Sequence, residues 1–272
     1  MEALQQLADW PVDDVAAAVT APERSVNAAF GDTSRVFPLA SVTKLLVAHA
    51  VLVAVEEGAV ELDTPAGPPG ATVEHLLAHA SGLSFDDAQR VEAAPGTQRI
   101  YSSAGYEVLA ETVADATGIA FPEYLAEAVA EPLGMTRTAL LGPAGHAASS
   151  NVDDLARFAV ELLSPRLISP QTAAAQRSVR FPGLDGFVPG YGRFRPNDWG
   201  LGPEIKGAKQ RHWTAPGHSP QTFGHFGQAG TFCWVDPVRG AAAVVLTDRP
   251  FGPWAKPLWS DFNQAVLAEL DG

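Results

Sequence analysis

The chain has 272 residues, 46% of them hydrophobic and 18% charged, which supplies a sizeable core and excludes an intrinsically disordered chain. Eighteen Lys and Arg against 31 Asp and Glu give a formal charge of −13, a field that repels phosphate backbones, so nucleic acid is not an expected partner. A single cysteine, Cys233, excludes an internal disulfide framework and a cysteine-rich zinc site.

Met1 to Trp10 carries Glu2 and Asp9 but no basic residue or long apolar run, unlike a secretory signal. Val15 to Ala21 and Ser25 to Phe30 read as short strands around a turn at Ala21-Pro22-Glu23-Arg24. Val36 to Ala40 leads into a helical pattern over Ser41 to Glu57, stopped by Gly58. Apolar residues occupy almost every face of it from Leu45 to Val55, the mark of a buried helix. His49 interrupts that run, which is too short to span a bilayer. The expectation is therefore no membrane association and a cytoplasmic location.

Further on, Thr72 to Ala80 reads as a short helix with Thr72 as its cap, broken by Ser81-Gly82. A turn at Ala93 to Gly96 leads to Tyr101-Ser102-Ser103. Helices follow over Tyr106 to Thr117, Phe121 to Ala130 and, capped by Asn151, Asn151 to Leu163. Glycine and proline recur from Phe181 to Gly207, as in a long segment over a cleft. A strand pair, Gly230 to Val235 and Ala241 to Thr247, and a helix over Trp254 to Leu270 close the chain. Strands at both ends and helices between them imply a sheet built from the termini with an inserted helical lobe. The expected division is residues 1–44 with 208–272 as the sheet lobe and 45–207 as the helical lobe.

Ser41-Val42-Thr43-Lys44 places a hydroxyl and an amine on one helix face at i and i+3. Burial disfavours the ammonium and makes the amine a usable base for an otherwise poor nucleophile. Ser-x-x-Lys alone is weak evidence, because a capping Ser followed by a surface Lys looks the same. The apolar helix around Lys44 strengthens it, since an unpaired buried Lys is costly.

Three further motifs follow in order: Leu76-Leu77-Ala78-His79-Ala80-Ser81-Gly82-Leu83; Pro95-Gly96-Thr97 through Tyr101-Ser102-Ser103 to Gly105-Tyr106; and Gly224-His225-Phe226-Gly227 with Gly230-Thr231. Together with Ser-x-x-Lys they resemble the serine β-lactamase and penicillin-binding-protein-like hydrolases, in the branch of class C β-lactamases, D-alanyl-D-alanine carboxypeptidases and related esterases. The resemblance runs from about Phe37 to Thr247 and is loose over Phe181 to Gly217. It implies an α+β, β-lactamase/transpeptidase-like fold. It also implies that Ser41 forms an acyl-enzyme and that Lys44 and Tyr101 manage the protons. The backbone N–H groups of Ser41 and Gln228 would form the oxyanion hole, with Ser103, His225 and Gly227 against the substrate. Two departures stand out: Ser103 replaces the family's usual Asn, and His225-Phe226 replaces Lys-Thr. An ammonium beside Tyr101 is expected to lower its pKa. His225, with an ordinary pKa near 6.5, is expected to grip a carboxylate only when protonated.

The expectation is a cofactor-free serine hydrolase without a metal, most active on small neutral esters. Alternatives are a D-alanyl peptidase or β-lactamase-type amidase, and a non-catalytic binding module on the same scaffold. The partner is a small ester or amide; the oligomeric state stays open. Taken singly, Tyr101 also fits a packed aromatic, Ser103 a helix cap and His225 a structural histidine. His75 and His79, at i and i+4, raise a zinc reading that lacks a third ligand. His49 and Cys233 read as core. Trp199 and Tyr191 are candidates for an acyl pocket or for packing anchors. No Gly-x-Ser-x-Gly elbow or phosphate loop is present.

Overall fold

The structure is a computed structural model describing residues 1–24 and 26–272. Its strands are β1 (Val15–Ala21), β2 (Val26–Phe30), β3 (Phe37–Pro38), β4 (Ala139–Leu140), β5 (Ala148–Ser150), β6 (Gly186–Val188), β7 (Gly192–Phe194), β8 (Glu204–Ile205), β9 (Phe223–Gly227), β10 (Thr231–Asp236) and β11 (Ala241–Thr247). The helices are α1 (Thr43–Glu56), α2 (Val73–Leu77), α3 (Ala104–Thr117), α4 (Phe121–Leu125), α5 (Val152–Leu163), α6 (Pro170–Gln176) and α7 (Ala255–Asp271). Ser25, the start of one expected strand, lies outside the described residues.

The main sheet runs β2-β1-β11-β10-β9-β8, with every neighbouring pair antiparallel. Strands from the two ends of the chain meet in it, as expected. Both faces are covered, so its central strands are buried almost throughout and mostly apolar, with alternate residues feeding separate cores. Ala241, Ala243 and Val245 join Phe232, Trp234, Trp259 and Phe262 beneath α7 and the short N-terminal helical segment Ala3–Asp9. Ala242, Val244 and Leu246 join Cys233 and the helical side.

On that helical side α1 is buried from Thr43 to Ala54, which explains its lack of a polar face. It packs against α3 and α4, while α5 covers β1, β10 and β11. These contacts, with β8 at the sheet edge, bring part of the 45–207 segment onto the sheet. The α5 cap is as expected, Asn151 Oδ1 accepting from the Asp154 N–H at 2.8 Å. Thr72 instead turns its hydroxyl to His75 Nδ1 at 3.0 Å and makes no side-chain cap bond. Among the described residues no helix is long and apolar enough to cross a membrane.

Candidate active site

Ser41 does not begin the α-helix itself. It sits in a 3₁₀ turn, Ala40–Val42, that precedes α1. Ala40, with φ 46°, holds a left-handed conformation that is strained for a residue with a Cβ. The turn is pinned from two sides: the Leu39 N–H donates to the Ala148 carbonyl at 2.9 Å, and Thr231 Oγ1 donates to the Leu39 carbonyl at 2.8 Å. Gly227 closes the approach of β9. A Cβ there would lie 2.3 Å from the Leu39 carbonyl oxygen and 2.5 Å from Thr231 Oγ1. Only glycine lets the strand lie this close to the serine.

Lys44 is fully buried and points back at the turn. Its Nζ lies 3.3 Å from Ser41 Oγ, 3.1 Å from Ser103 Oγ and 2.7 Å from the Gly145 carbonyl. Burial lowers its pKa to about 7, with the Glu107 carboxylate pulling the other way. The nitrogen also sits 4.6 Å from the centroid of the Tyr101 ring.

The Tyr101 expectation is corrected. Its pKa is raised, because loss of water around the phenolate outweighs the help of the Ser41 hydroxyl. Tyr101 is therefore a neutral phenol. Its hydroxyl lies 3.4 Å from His225 Nε2, while His225 Nδ1 lies 2.6 Å from the Phe226 carbonyl. A carbonyl only accepts, so Nδ1 carries the proton and Nε2 accepts from Tyr101. The ordinary pKa near 6.5 expected for His225, and with it a carboxylate grip switched on by protonation at about pH 6–7, is corrected too: burial, then the Lys44 charge, lower its pKa to about 3. His225 is therefore uncharged at neutral pH.

Ser103 precedes α3 without making a side-chain cap bond, and its Oγ accepts from Lys44 Nζ instead. Ser102 does the local bracing, accepting from the Gly105 N–H at 2.9 Å and donating to the Ser84 carbonyl at 2.6 Å. His79 is structural. Its Nδ1 accepts from the Ser102 N–H at 3.1 Å, and its ring packs on Tyr101, Tyr106 and Trp199. His75 rests on Phe181, so the two rings serve different neighbours. His49 Nε2 lies 3.4 Å from Glu161 Oε1 inside the core. Cys233 is buried with its thiol pushed up to about 12, which leaves it unreactive.

Ser41, Tyr101, His225 and Gln228 surround a cavity of about 80 Å³, walled by Phe85, Val188, Pro189, Trp199, Phe226 and Glu204. Trp199 thus lines it, whereas Tyr191 packs against Phe226 and Phe251. A groove of about 300 Å³ adjoins it, sharing Phe85, Tyr101 and Pro189. A larger concavity of about 610 Å³, between β1, β2 and α5, is far from Ser41 in the fold and lacks these groups.

Three contributors escaped the sequence reading. Gly145 supplies the carbonyl for Lys44, and Glu107 anchors that loop by accepting from the Ala144 and Gly145 N–H groups at 2.9 and 2.8 Å. Glu107 stands at i+4 from Ser103, a spacing that could have flagged it. Glu204 is a buried carboxylate in the cavity wall, 2.9 Å from Lys209 Nζ and 3.0 Å from His212 Nε2. Its signal was the run of Glu204, Lys206, Lys209 and His212 inside a Gly/Pro-rich stretch.

A buried, easily deprotonated amine against a serine hydroxyl, beside a small and largely apolar cavity, can support nucleophilic attack on a carbonyl. The comparisons agree with this chemistry. A crystal structure of a β-lactamase from Mycobacterium bovis superposes with a TM-score of 0.96 at 57% identity, covering 98% of this chain and 99% of that one. Simvastatin synthase from Aspergillus terreus, at 18% identity and TM-score 0.80, covers 98% of this chain and 93% of its own, and shares the fold. Among curated sequences, a protein of Escherichia coli O157:H7, provisionally named as a D-alanyl-D-alanine carboxypeptidase, is 24% identical over 256 residues. That match takes in 71% of this chain but 55% of the relative, so the chain spans about half the length of that relative. The Beta-lactamase family model matches residues 10–267, and the chain therefore belongs to the β-lactamase family, the serine β-lactamase and penicillin-binding-protein-like hydrolases that its motifs resemble.

Proposed function

We propose that the protein cleaves small neutral esters through an acyl-enzyme on Ser41. The observation that carries this reading is the buried Lys44 amine, 3.3 Å from Ser41 Oγ, with a pKa of about 7. In its neutral form Lys44 takes the Ser41 proton as Oγ bonds to the substrate carbonyl carbon. The N–H groups of Ser41 and Gln228 hold the resulting oxyanion; Ser41 lies in a first helical turn, where N–H groups lack intrahelical acceptors. Collapse breaks the bond to the alkoxide, which recovers a proton from the Lys44 ammonium or from Tyr101. Water then releases the acyl group by the same route in reverse.

Preference for neutral esters is supported by the wall chemistry. An uncharged His225 and a Glu204 carboxylate offer nothing to a substrate carboxylate, and Ser103 has a shorter reach than Asn. The groove beyond Tyr101, with Phe85 54% and Phe187 60% exposed, suits an apolar alcohol or acyl portion. Amide cleavage is the second reading, favoured by the β-lactamase and carboxypeptidase names of the similar proteins.

Intact-mass measurement after a fluorophosphonate and, separately, a penicillin tests both. Wild type is expected to gain one phosphonyl adduct and to turn over p-nitrophenyl acetate faster than penicillin. Ser41→Ala should do neither. Full labelling of that variant would put the nucleophile elsewhere, no adduct on the wild type would favour a binding module, and faster penicillin hydrolysis would select the amidase.

A further inference from the structure

Behind the wall that carries Glu204 lies a second, smaller cavity of about 40 Å³, between the 206–216 segment and α7. Lys206, Gln210, Arg211, Thr214 and Ser260 line it. Lys206 is 7% exposed, yet among the described residues its ammonium has no hydrogen-bond or ion-pair partner. An ammonium has three donors, and Nζ, which is not itself sealed from solvent, keeps them available at the cavity. The carboxylate whose charge acts on it, Asp236, is already engaged by the Ser219, Val238 and Arg239 N–H groups and by the Arg239 guanidinium.

The other basic groups divide into two kinds. Lys209 spends its three protons on the Asp198 carbonyl, the Ile205 carbonyl and Glu204 Oε1. His212 is also committed. Its Nδ1 accepts from the Thr214 N–H at 3.3 Å, which leaves Nε2–H for Glu204. Arg211, in contrast, is exposed at the mouth of the cavity and has no partner among the described residues. Two cations without a partner, the Gln210 amide and the Ser260 hydroxyl thus line a space the size of one small ion, while the Thr214 hydroxyl is committed to His212 Nδ1 at 2.9 Å.

We propose that this cavity binds a small oxyanion of the phosphate type, held by Lys206 and Arg211. A tetrahedral dianion offers several acceptors at once, and charge-assisted bonds to such groups are the strong ones. Glu204 lines the first cavity and its partners Lys209 and His212 line the second, so this ion-paired cluster links the two. The assignment is independent of the esterase reading, because it is tested by binding alone.

Isothermal titration at constant ionic strength with inorganic phosphate, and in a second arm with glycerol 3-phosphate, reads the site. Saturable binding of phosphate by the wild type is expected, weakened about tenfold or more in Lys206→Met and in Arg211→Gln. Arg211 is exposed, so its variant cannot fail by misfolding. Binding in the second arm as well would assign the phosphoryl head of a larger ligand, and phosphate alone the free ion. Absence of saturable binding in both arms, or unchanged affinity in both variants, would overturn the proposal.

Discussion

On the proposed mechanism, Lys44 and Glu107 together set the pH at which Ser41 is activated. Burial holds the amine near 7, and the Glu107 charge keeps it from falling lower. The neutral amine becomes the major form as pH rises through about 7. For a neutral ester, kcat/KM is therefore expected to climb through that value and stay level above it, since the raised Tyr101 phenol keeps its proton. Glu107→Gln removes the charge that favours the ammonium, so the ascending limb should move to lower pH. An unmoved limb, or one shifted upward, would contradict Lys44 as the base. At this scale the sequence singled out the serine and the lysine through spacing and the apolar run around Lys44, and the tyrosine through the family resemblance. It hid their ionisation states, because the burial that neutralises His225 and raises Tyr101 is created by side chains, His79, Phe85 and Trp199 among them, that the fold gathers from separate segments. Gly145 was hidden for a similar reason: a backbone carbonyl leaves no mark on side-chain pattern.

The positioning of Ser41 depends on two elements meeting, the 3₁₀ turn before α1 and the strand β9. Gly227→Ala would place a methyl group within 2.3 Å of the Leu39 carbonyl oxygen, and either β9 or the serine turn must give way. A stability loss of about 1–3 kcal/mol is expected from such overpacking. A fall in kcat should accompany it, because the Gln228 N–H moves with the strand. Wild-type denaturation and turnover would show that the approach is less tight than drawn. The long elements were legible: α1, α5, α7 and the β10–β11 hairpin have periods or turn signals over many residues. The two-residue strand β8 and the 3₁₀ turn at Ser41 were not, because elements that short complete no period and exist through tertiary contacts. The expected single helix over Phe121 to Ala130 is α4 followed by a wider π-helical turn, Ala126–Ala130, a change of winding that composition does not announce.

Across the whole molecule, the buried ionisable groups shift the stability optimum to alkaline pH. His218 and His225 are held near 3, and His79 and His212 are also lowered, in each case mainly by burial. Below about 6.5 the unfolded chain takes up protons that these folded histidines refuse, so stability falls as pH drops. Each contributes a slope of about 1.4 kcal/mol per pH unit within its window. Glu204, lowered by Lys209 and His212 against its own burial, adds to the loss below its ordinary carboxylate range. Lys44 acts in the same direction higher up: between about 7 and its ordinary value of 10.5 the unfolded chain binds a proton that the folded one lacks, so stability rises with pH. The reversal comes from the buried acids. Cys233 is pushed up to about 12, and the Tyr101, Tyr106 and Tyr191 phenols are raised. Above their ordinary values, about 9 to 10, the unfolded chain sheds protons that the folded one keeps. Urea midpoints measured from pH 5 to 10 are therefore expected to rise steeply up to about 7 and to peak near 8–9. Lys44→Met isolates one part of the profile. It removes a buried cation, so it should be more stable than wild type at pH 6, with the gain shrinking toward pH 10 as the folded wild-type amine loses its charge while the unfolded chain keeps it. A profile flat between pH 5 and 7.5, or a Lys44→Met protein weaker than wild type at pH 6, would mean that water reaches these groups and that the helical side is not sealed against the sheet.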